Sequence, residues 1–194
     1  MIAMKILIVY TEMTETEQAR EGIDAMMRLL ADSELETEIV RLSSEHFEPC
    51  VVCGKCYKKH RCVFEDEVNV IASKAENYAG MILVSASYYG RLSQRAGLFL
   101  ERLMRSAGER FVRMPVCAFV SSRTNDTKLA YEEMMQYCSE GNMYAVLSQY
   151  YGSLEEESIT AGMDLFAYLV KKLNDQEAQS SYIPKRSLEY MRGR

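Results

Sequence analysis

Four of the six cysteines in this 194-residue chain stand within thirteen residues of one another. Cys50, Cys53, Cys56 and Cys62 lie in the run PCVVCGKCYKKHRC, a C-x2-C-x2-C-x5-C spacing. Spacings of two bring thiolates close together, so a loop this short can wrap one tetrahedral metal ion or the corners of an iron-sulfur cube. Gly54 permits a tight turn between the second and third cysteines. Lys55, Lys58, Lys59, His60 and Arg61 crowd the same segment, and positive charge there favours thiolate over thiol. The spacing predicts a [4Fe-4S] centre on these four residues, with zinc or free thiols left open as alternatives. His46 and His60 flank the loop, and the sequence names no partner for either. Cys117 and Cys138 fall inside apolar periodic segments and read as buried, inert core residues.

The rest of the composition narrows the setting for that chemistry. Lys+Arg of 23 against Asp+Glu of 28 gives a net charge of −5 and a pI near 5.3, the wrong sign for a surface that must cover phosphates. Nucleic acid is therefore not an expected partner. No run approaches the roughly 20 apolar residues of a membrane helix, and Ile6 to Val9 is followed by Glu12, Glu15 and Glu17 rather than a cleavage site. A cytoplasmic protein is expected, and six cysteines there are more consistent with metal or redox chemistry than with a disulfide scaffold. The 48% hydrophobic content supports one core, read as a domain over residues 1–175, with 176–194 as a tail or arm carrying Lys185, Arg186, Arg192 and Arg194 around Pro184.

The cysteines must be positioned by regular elements, and their pattern is legible. MKILIVY (Met4 to Tyr10), Ile39 and Val40, MILVS (Met81 to Ser85), VCAFV (Val116 to Val120) and a weaker YAVL (Tyr144 to Leu147) read as five short buried strands. Between them, apolar residues recur at three and four: Ala19, Ile23, Met26, Met27 and Leu30; then Leu98, Phe99, Leu103 and Met104; then Leu129, Met134 and Met135. Ile159, Met163, Phe166 and Val170 form a last such stripe. Strands alternating with helices imply a parallel sheet covered on both faces. Such sheets bind ligands beyond the carboxyl ends of their strands. The loops of interest are therefore Thr11 to Glu17, Ser85 to Leu92 and Ser121 to Asp126.

With these segments placed, the sequence from about Met4 to about Leu173 resembles the iron-sulfur flavoprotein branch of the flavodoxin-like NADPH-dependent FMN reductase superfamily. The residues that carry the likeness are MKILIVY, the four-cysteine run followed by the acidic pair in CVFEDE, and ILVSASYYG leading into LFLERL. The resemblance implies a flavodoxin-like three-layer α/β/α sandwich with five parallel strands in the order 2-1-3-4-5. It also implies that Ser85, Ala86, Ser87, Tyr88, Tyr89 and Gly90 form the loop that lies against the flavin ring, with Ser87 to Gly90 closest to it. Dimers or tetramers follow from the same likeness, and thirteen tyrosines and thirteen methionines without a tryptophan suggest apolar surface for such a homo-oligomer.

The likeness has departures. The family's turn for the FMN phosphate is rich in glycine or serine, whereas here it reads TEMTETEQAR. Thr11, Thr14 and Thr16 offer hydroxyls, but Glu12, Glu15 and Glu17 offer carboxylates, each worth about 1 to 4 kcal/mol of repulsion if it stood ~4 Å from a phosphate. Thr14-x-x-Glu17 also reads as a capping box, an alternative use of the same residues. Ser121, Ser122, Arg123, Thr124, Asn125 and Asp126 replace paired glycines after the fourth strand; Ser121 and Ser122 are expected cofactor-binding residues, with a polar cap for the next helix as the alternative use of the segment. Gly97 stands where many relatives carry lysine.

The expected function is thus an FMN-dependent oxidoreductase drawing electrons from NAD(P)H or a ferredoxin-like donor, with FMN held weakly. The alternative is a flavodoxin-like protein that has lost FMN and acts as a metal-holding or partner-binding module.

Overall fold

A computed structural model describes residues 4–42, 48–124, 126–147 and 151–179, the side chains of 176–179 excepted. The central strands are β1 (Lys5–Tyr10), β3 (Gly80–Tyr88) and β5 (Pro115–Ser121), all but continuously buried. Alternation along β1 sends Ile6, Ile8 and Tyr10 to one face and Leu7 and Val9 to the other. A strand apolar on both sides is stable only between two helical layers, and that is its setting here.

On one face pack α1 (Glu17–Asp32) and α6 (Glu156–Gln179), through Ile23, Met26, Phe166 and Val170. On the other pack α3 (Glu67–Ser73), α4 (Gln94–Ala107) and α5 (Lys128–Glu140), through Val68, Phe99, Leu103 and Met134. The edge strands are β2 (Glu36–Arg41) and the two-residue β6 (Tyr144–Ala145). All pairings are parallel in the order β2-β1-β3-β5-β6, which is the flavodoxin-like 2-1-3-4-5 order once the short β4 (Arg91–Leu92) is set aside. No described helix is long and apolar enough to cross a membrane.

Four features differ from the sequence reading. The chain between β2 and β3 contains α2 (Cys56–Lys59) and α3, neither long enough to show a period. β4 returns antiparallel on β3, pairing Ser87 with Leu92 and Tyr88 with Arg91. The last strand stops at Ala145, and Leu147 is exposed. Finally, α6 runs to Gln179, four residues into the segment assigned to the tail. The rest of that tail lies outside the described residues, as do His46 and Asn125. Cys117 and Cys138 are buried as expected, and burial pushes each thiol up to about 12.

Candidate functional site

Three loops leave the carboxyl ends of the adjacent strands β1, β3 and β5, and the order reverses beside β1. Ligands of such sheets occupy this crevice. The β1 loop is pinned at both ends. Thr11 N–H donates to the Val84 carbonyl (3.0 Å), and the Tyr10 hydroxyl donates to the Thr14 carbonyl (2.9 Å). Burial pushes the Tyr10 phenol up to about 12, so it remains a donor.

Thr16, not Thr14, caps α1: its hydroxyl accepts from Ala19 N–H at 3.1 Å, so the expected Thr14–Glu17 capping box does not form. The cap falls two residues later because Thr16 is the residue with extended backbone (φ −77°, ψ 156°) immediately before the helix. Thr16 N–H is directed at the Tyr10 hydroxyl oxygen, while among the described residues the main-chain N–H groups of Met13, Thr14, Glu15, Glu17 and Gln18 have no protein acceptor. Open amides running into a helix N-terminus are a ready anion site.

The three glutamates do not face that site together. Glu15 pairs with Arg41 at 2.9 Å, and Glu17 lies on the exposed first turn of α1, 3.9 Å from Arg20. Glu12 turns inward and is 9% exposed. Its Oε1 accepts from the hydroxyls of Thr11 (2.9 Å), Ser85 (3.2 Å) and Ser93 (2.5 Å), and Tyr88 reaches Oε2 at 3.5 Å. Ser93 is also the N-cap of α4, accepting from Ala96 N–H, so the Glu12 carboxylate sits at the positive end of that helix. This explains a buried anion whose bonds go to hydroxyls. Burial and the Glu12 carboxylate together raise the Tyr88 pKa.

Thr11, Ser85 and Ser121, expected to bind the cofactor, are buried and hydrogen-bonded within the protein. The first two serve Glu12, and Ser121 donates to the Ser85 carbonyl at 3.3 Å. Thr14, Thr16, Ser87, Tyr88 and Tyr89 remain on the open side. Tyr89 and Gly90 form a two-residue hairpin with φ +53° and +77°, the pattern that suits β-hairpin twist. Glycine suits the positive φ at position 90, and a Cβ there would stand 2.6 Å from Asp126 Oδ2, so that the Asp126 carboxylate would have to shift. The turn holds Tyr89 fully exposed in a left-handed conformation.

Ser87 donates to the Asp126 carbonyl at 2.9 Å, joining this hairpin to the loop after β5. That loop does not cap α5 as expected. Its Ser122 hydroxyl accepts from Thr124 N–H, and the α5 N-cap Thr127 makes no side-chain capping bond.

All four cysteines of the predicted metal set line one small hollow of about 40 Å³, walled by Val63, Phe64 and Arg102. Val52, Gly54 and His60 adopt positive φ to wrap it. The thiols are free, and among the described residues no three His, Cys, Asp or Glu side chains converge tightly enough to hold a single metal ion. His60 Nδ1 contacts the Glu109 carboxylate, and Asp66 forms an ion pair with Arg102 (2.6 Å). The donor set on offer is therefore four thiols, the set that suits an iron-sulfur centre. A wider open groove, about 790 Å³, runs between α4 and α5 past Leu92, Gly97 and Glu133.

Residues 4–157 match the family described as NADPH-dependent FMN reductase. The chain belongs to that family. Curated relatives of this reductase-family chain include the iron-sulfur flavoprotein of Methanocaldococcus jannaschii, 30% identical over 43% of this chain and 41% of that protein. The iron-sulfur flavoprotein of Archaeoglobus fulgidus is 30% identical over 44% and 39% respectively. The alignments thus take in less than half the length of these relatives. Among solved structures, RosB with bound 8-demethyl-8-formylriboflavin-5'-phosphate superposes with a TM-score of 0.69 at 13% identity, covering 98% of this chain and 87% of that one. That likeness is one of fold, the flavodoxin-like α/β sandwich.

Sequence reasoning missed Glu12's partner Ser93, Arg102 and Asp66. Only Asp66 left a trace, as the acid before an apolar run that caps a helix.

Proposed function

We propose that this protein is an FMN-dependent oxidoreductase that takes electrons from NAD(P)H or a ferredoxin-like donor and delivers them singly through an iron-sulfur centre held by Cys50, Cys53, Cys56 and Cys62. The observation that carries this reading is the set of acceptor-free amides of Met13, Thr14, Glu15, Glu17 and Gln18 at the start of α1, beside the exposed Tyr88 and Tyr89. Bound FMN supplies the change from two-electron to one-electron chemistry. The protein's part is to bind and orient. The amides and the Thr14 and Thr16 hydroxyls hold the phosphate, Tyr89 offers its ring face, and Glu12 locks the loops after β1 and β3 to one another. Ser93, the N-cap of α4 that binds Glu12, and Arg102, which binds Cys62, stand nine residues apart on this helix, a rise of about 14 Å at 1.5 Å each.

Anaerobic addition of NADPH, NADH or reduced ferredoxin to FMN-loaded protein tests the activity. At least one donor should bleach the flavin absorbance with turnover, and no bleaching by any of them would end this reading. The exposed Val51, Val52 and Tyr57 on the cysteine loop, with Tyr88 and Tyr89 on the hairpin, support a homo-oligomer that covers them. Light scattering should give a multiple of the 22.2 kDa chain mass. A monomer at all concentrations refutes the assembly.

Tyr89 makes a sharper point. At φ +53° a tyrosine costs energy that glycine does not, so Tyr89→Gly should stabilise flavin-free protein by about 0.5 to 1 kcal/mol. It should also weaken FMN by about 1 to 3 kcal/mol through lost stacking. Melting and fluorescence titration read the two effects, and unchanged FMN affinity would exclude Tyr89 from the ring contact.

A further inference from the structure

Arg102 heads the large side chains that are fully buried, and its guanidinium has no exposed surface. A buried cation persists only when it is paired and hydrogen-bonded. Here the partners share one address. The guanidinium donates to both Asp66 oxygens (2.6 and 3.0 Å), to the Glu48 carbonyl (3.3 Å) and to Cys62 Sγ (3.3 Å), and it lies 5.0 Å from the centre of the Phe64 ring. One side chain on α4 therefore ties together the entry to the cysteine segment, its last cysteine and the cap of α3.

Cys62 is fixed along its backbone as well. Its N–H donates to Asn69 Oδ1 (3.0 Å), and Asn69 Nδ2 donates to the Cys62 and Phe64 carbonyls (3.1 and 2.8 Å). Among the described residues, none of the other three cysteine sulfurs receives a side-chain donor. Cys53, by contrast, is exposed. The four thiols are thus unequal, with one anchored corner, Cys50 and Cys53 on a loop that bends through positive φ at Val52 and Gly54, and Cys56 at the start of α2.

We propose that Arg102 is the positioning residue of the cysteine site: it anchors Cys62 and, through its N–H···S bond, raises the reduction potential of the centre that the four cysteines hold. The second half rests on the functional reading above. A cationic donor on a ligand sulfur stabilises the more negative, reduced state, and hydrogen bonds to sulfur are among the determinants of cluster potential. Arg102 does this from α4, the helix whose N-cap Ser93 binds Glu12. The same rigid element therefore sets one corner of each site.

The test compares wild type, Arg102→Lys and Arg102→Met after anaerobic reconstitution with iron and sulfide. Lysine keeps the charge but lacks the fork that reaches Asp66 and Cys62 together. Arg102→Lys should retain the fold and FMN, and either bind the cluster at a more negative midpoint potential or fail to retain it. Arg102→Met should lose it. Equal cluster content and equal midpoint potential in wild type and Arg102→Lys would overturn the proposal. If wild type itself takes up no iron and sulfide, the functional reading fails on that result, and hydrogen exchange of the metal-free protein decides the anchoring role. Faster exchange at the Cys62 amide in Arg102→Lys, with β1 and β3 unchanged, supports it; identical exchange refutes it.

Discussion

Anaerobically prepared protein should contain iron and acid-labile sulfide at about four of each per chain, and Cys53→Ser should reduce both to background. The four cysteines line a single hollow of about 40 Å³, while His60 contacts Glu109 and Asp66 pairs with Arg102. Among the described residues, no group of three His, Cys, Asp or Glu side chains is poised to hold a metal ion in place of the four thiols. Serine keeps the shape of cysteine but is a poor ligand at neutral pH, so the effect is one of ligation rather than of folding. Cys53 is the informative position because it is exposed and its substitution disturbs no packing. The same substitution at Cys62 would also remove the Arg102 acceptor. Zinc in place of iron, or a Cys53→Ser variant with undiminished iron, would show the centre to be something else.

Replacing Glu12 by Ser and Glu15 by Gly together should destabilise the protein by about 1 to 3 kcal/mol and leave FMN affinity no tighter. From the sequence alone the opposite was expected, because removing two carboxylates from a phosphate loop relieves repulsion. In the fold, Glu12 is the common acceptor for three hydroxyls on Oε1, and Glu15 is neutralised by Arg41. Deleting Glu12 leaves those hydroxyls only longer contacts, Thr11 to the Val84 carbonyl and Ser85 to Ser93, each at 3.4 Å. Glu12→Gln, which keeps an acceptor oxygen, should lose less. Equilibrium unfolding and FMN titration of the three proteins check this, and tighter FMN binding in the double variant would show that the carboxylates do face the phosphate.

The elements were readable in proportion to how local their signals are. The strands at Ile6, Ile82 and Cys117 are apolar runs, and helices α1, α4, α5 and α6 carry stripes at three and four, so short windows suffice to find them. Helix α2 has four residues and β4 two, too few for any period to appear. The cap at Thr16 was misplaced to Thr14 because several threonines precede α1, and only backbone geometry selects among them. Ser122 was read as part of a cap, yet its hydroxyl serves Thr124.

What the sequence by itself determined is the layered architecture and the four thiols on one loop, since hydrophobic periodicity and two-residue spacing act over distances the chain enforces directly. What the tertiary structure decided is the orientation of charge. Glu12 meets Ser93 across 81 residues, and Arg102 meets Cys62 across 40. Whether a carboxylate opposes a phosphate or anchors a loop depends on which donors the sheet and α4 bring to it. A buried charge goes where its hydrogen bonds can be completed, and that place exists only after the layers have closed.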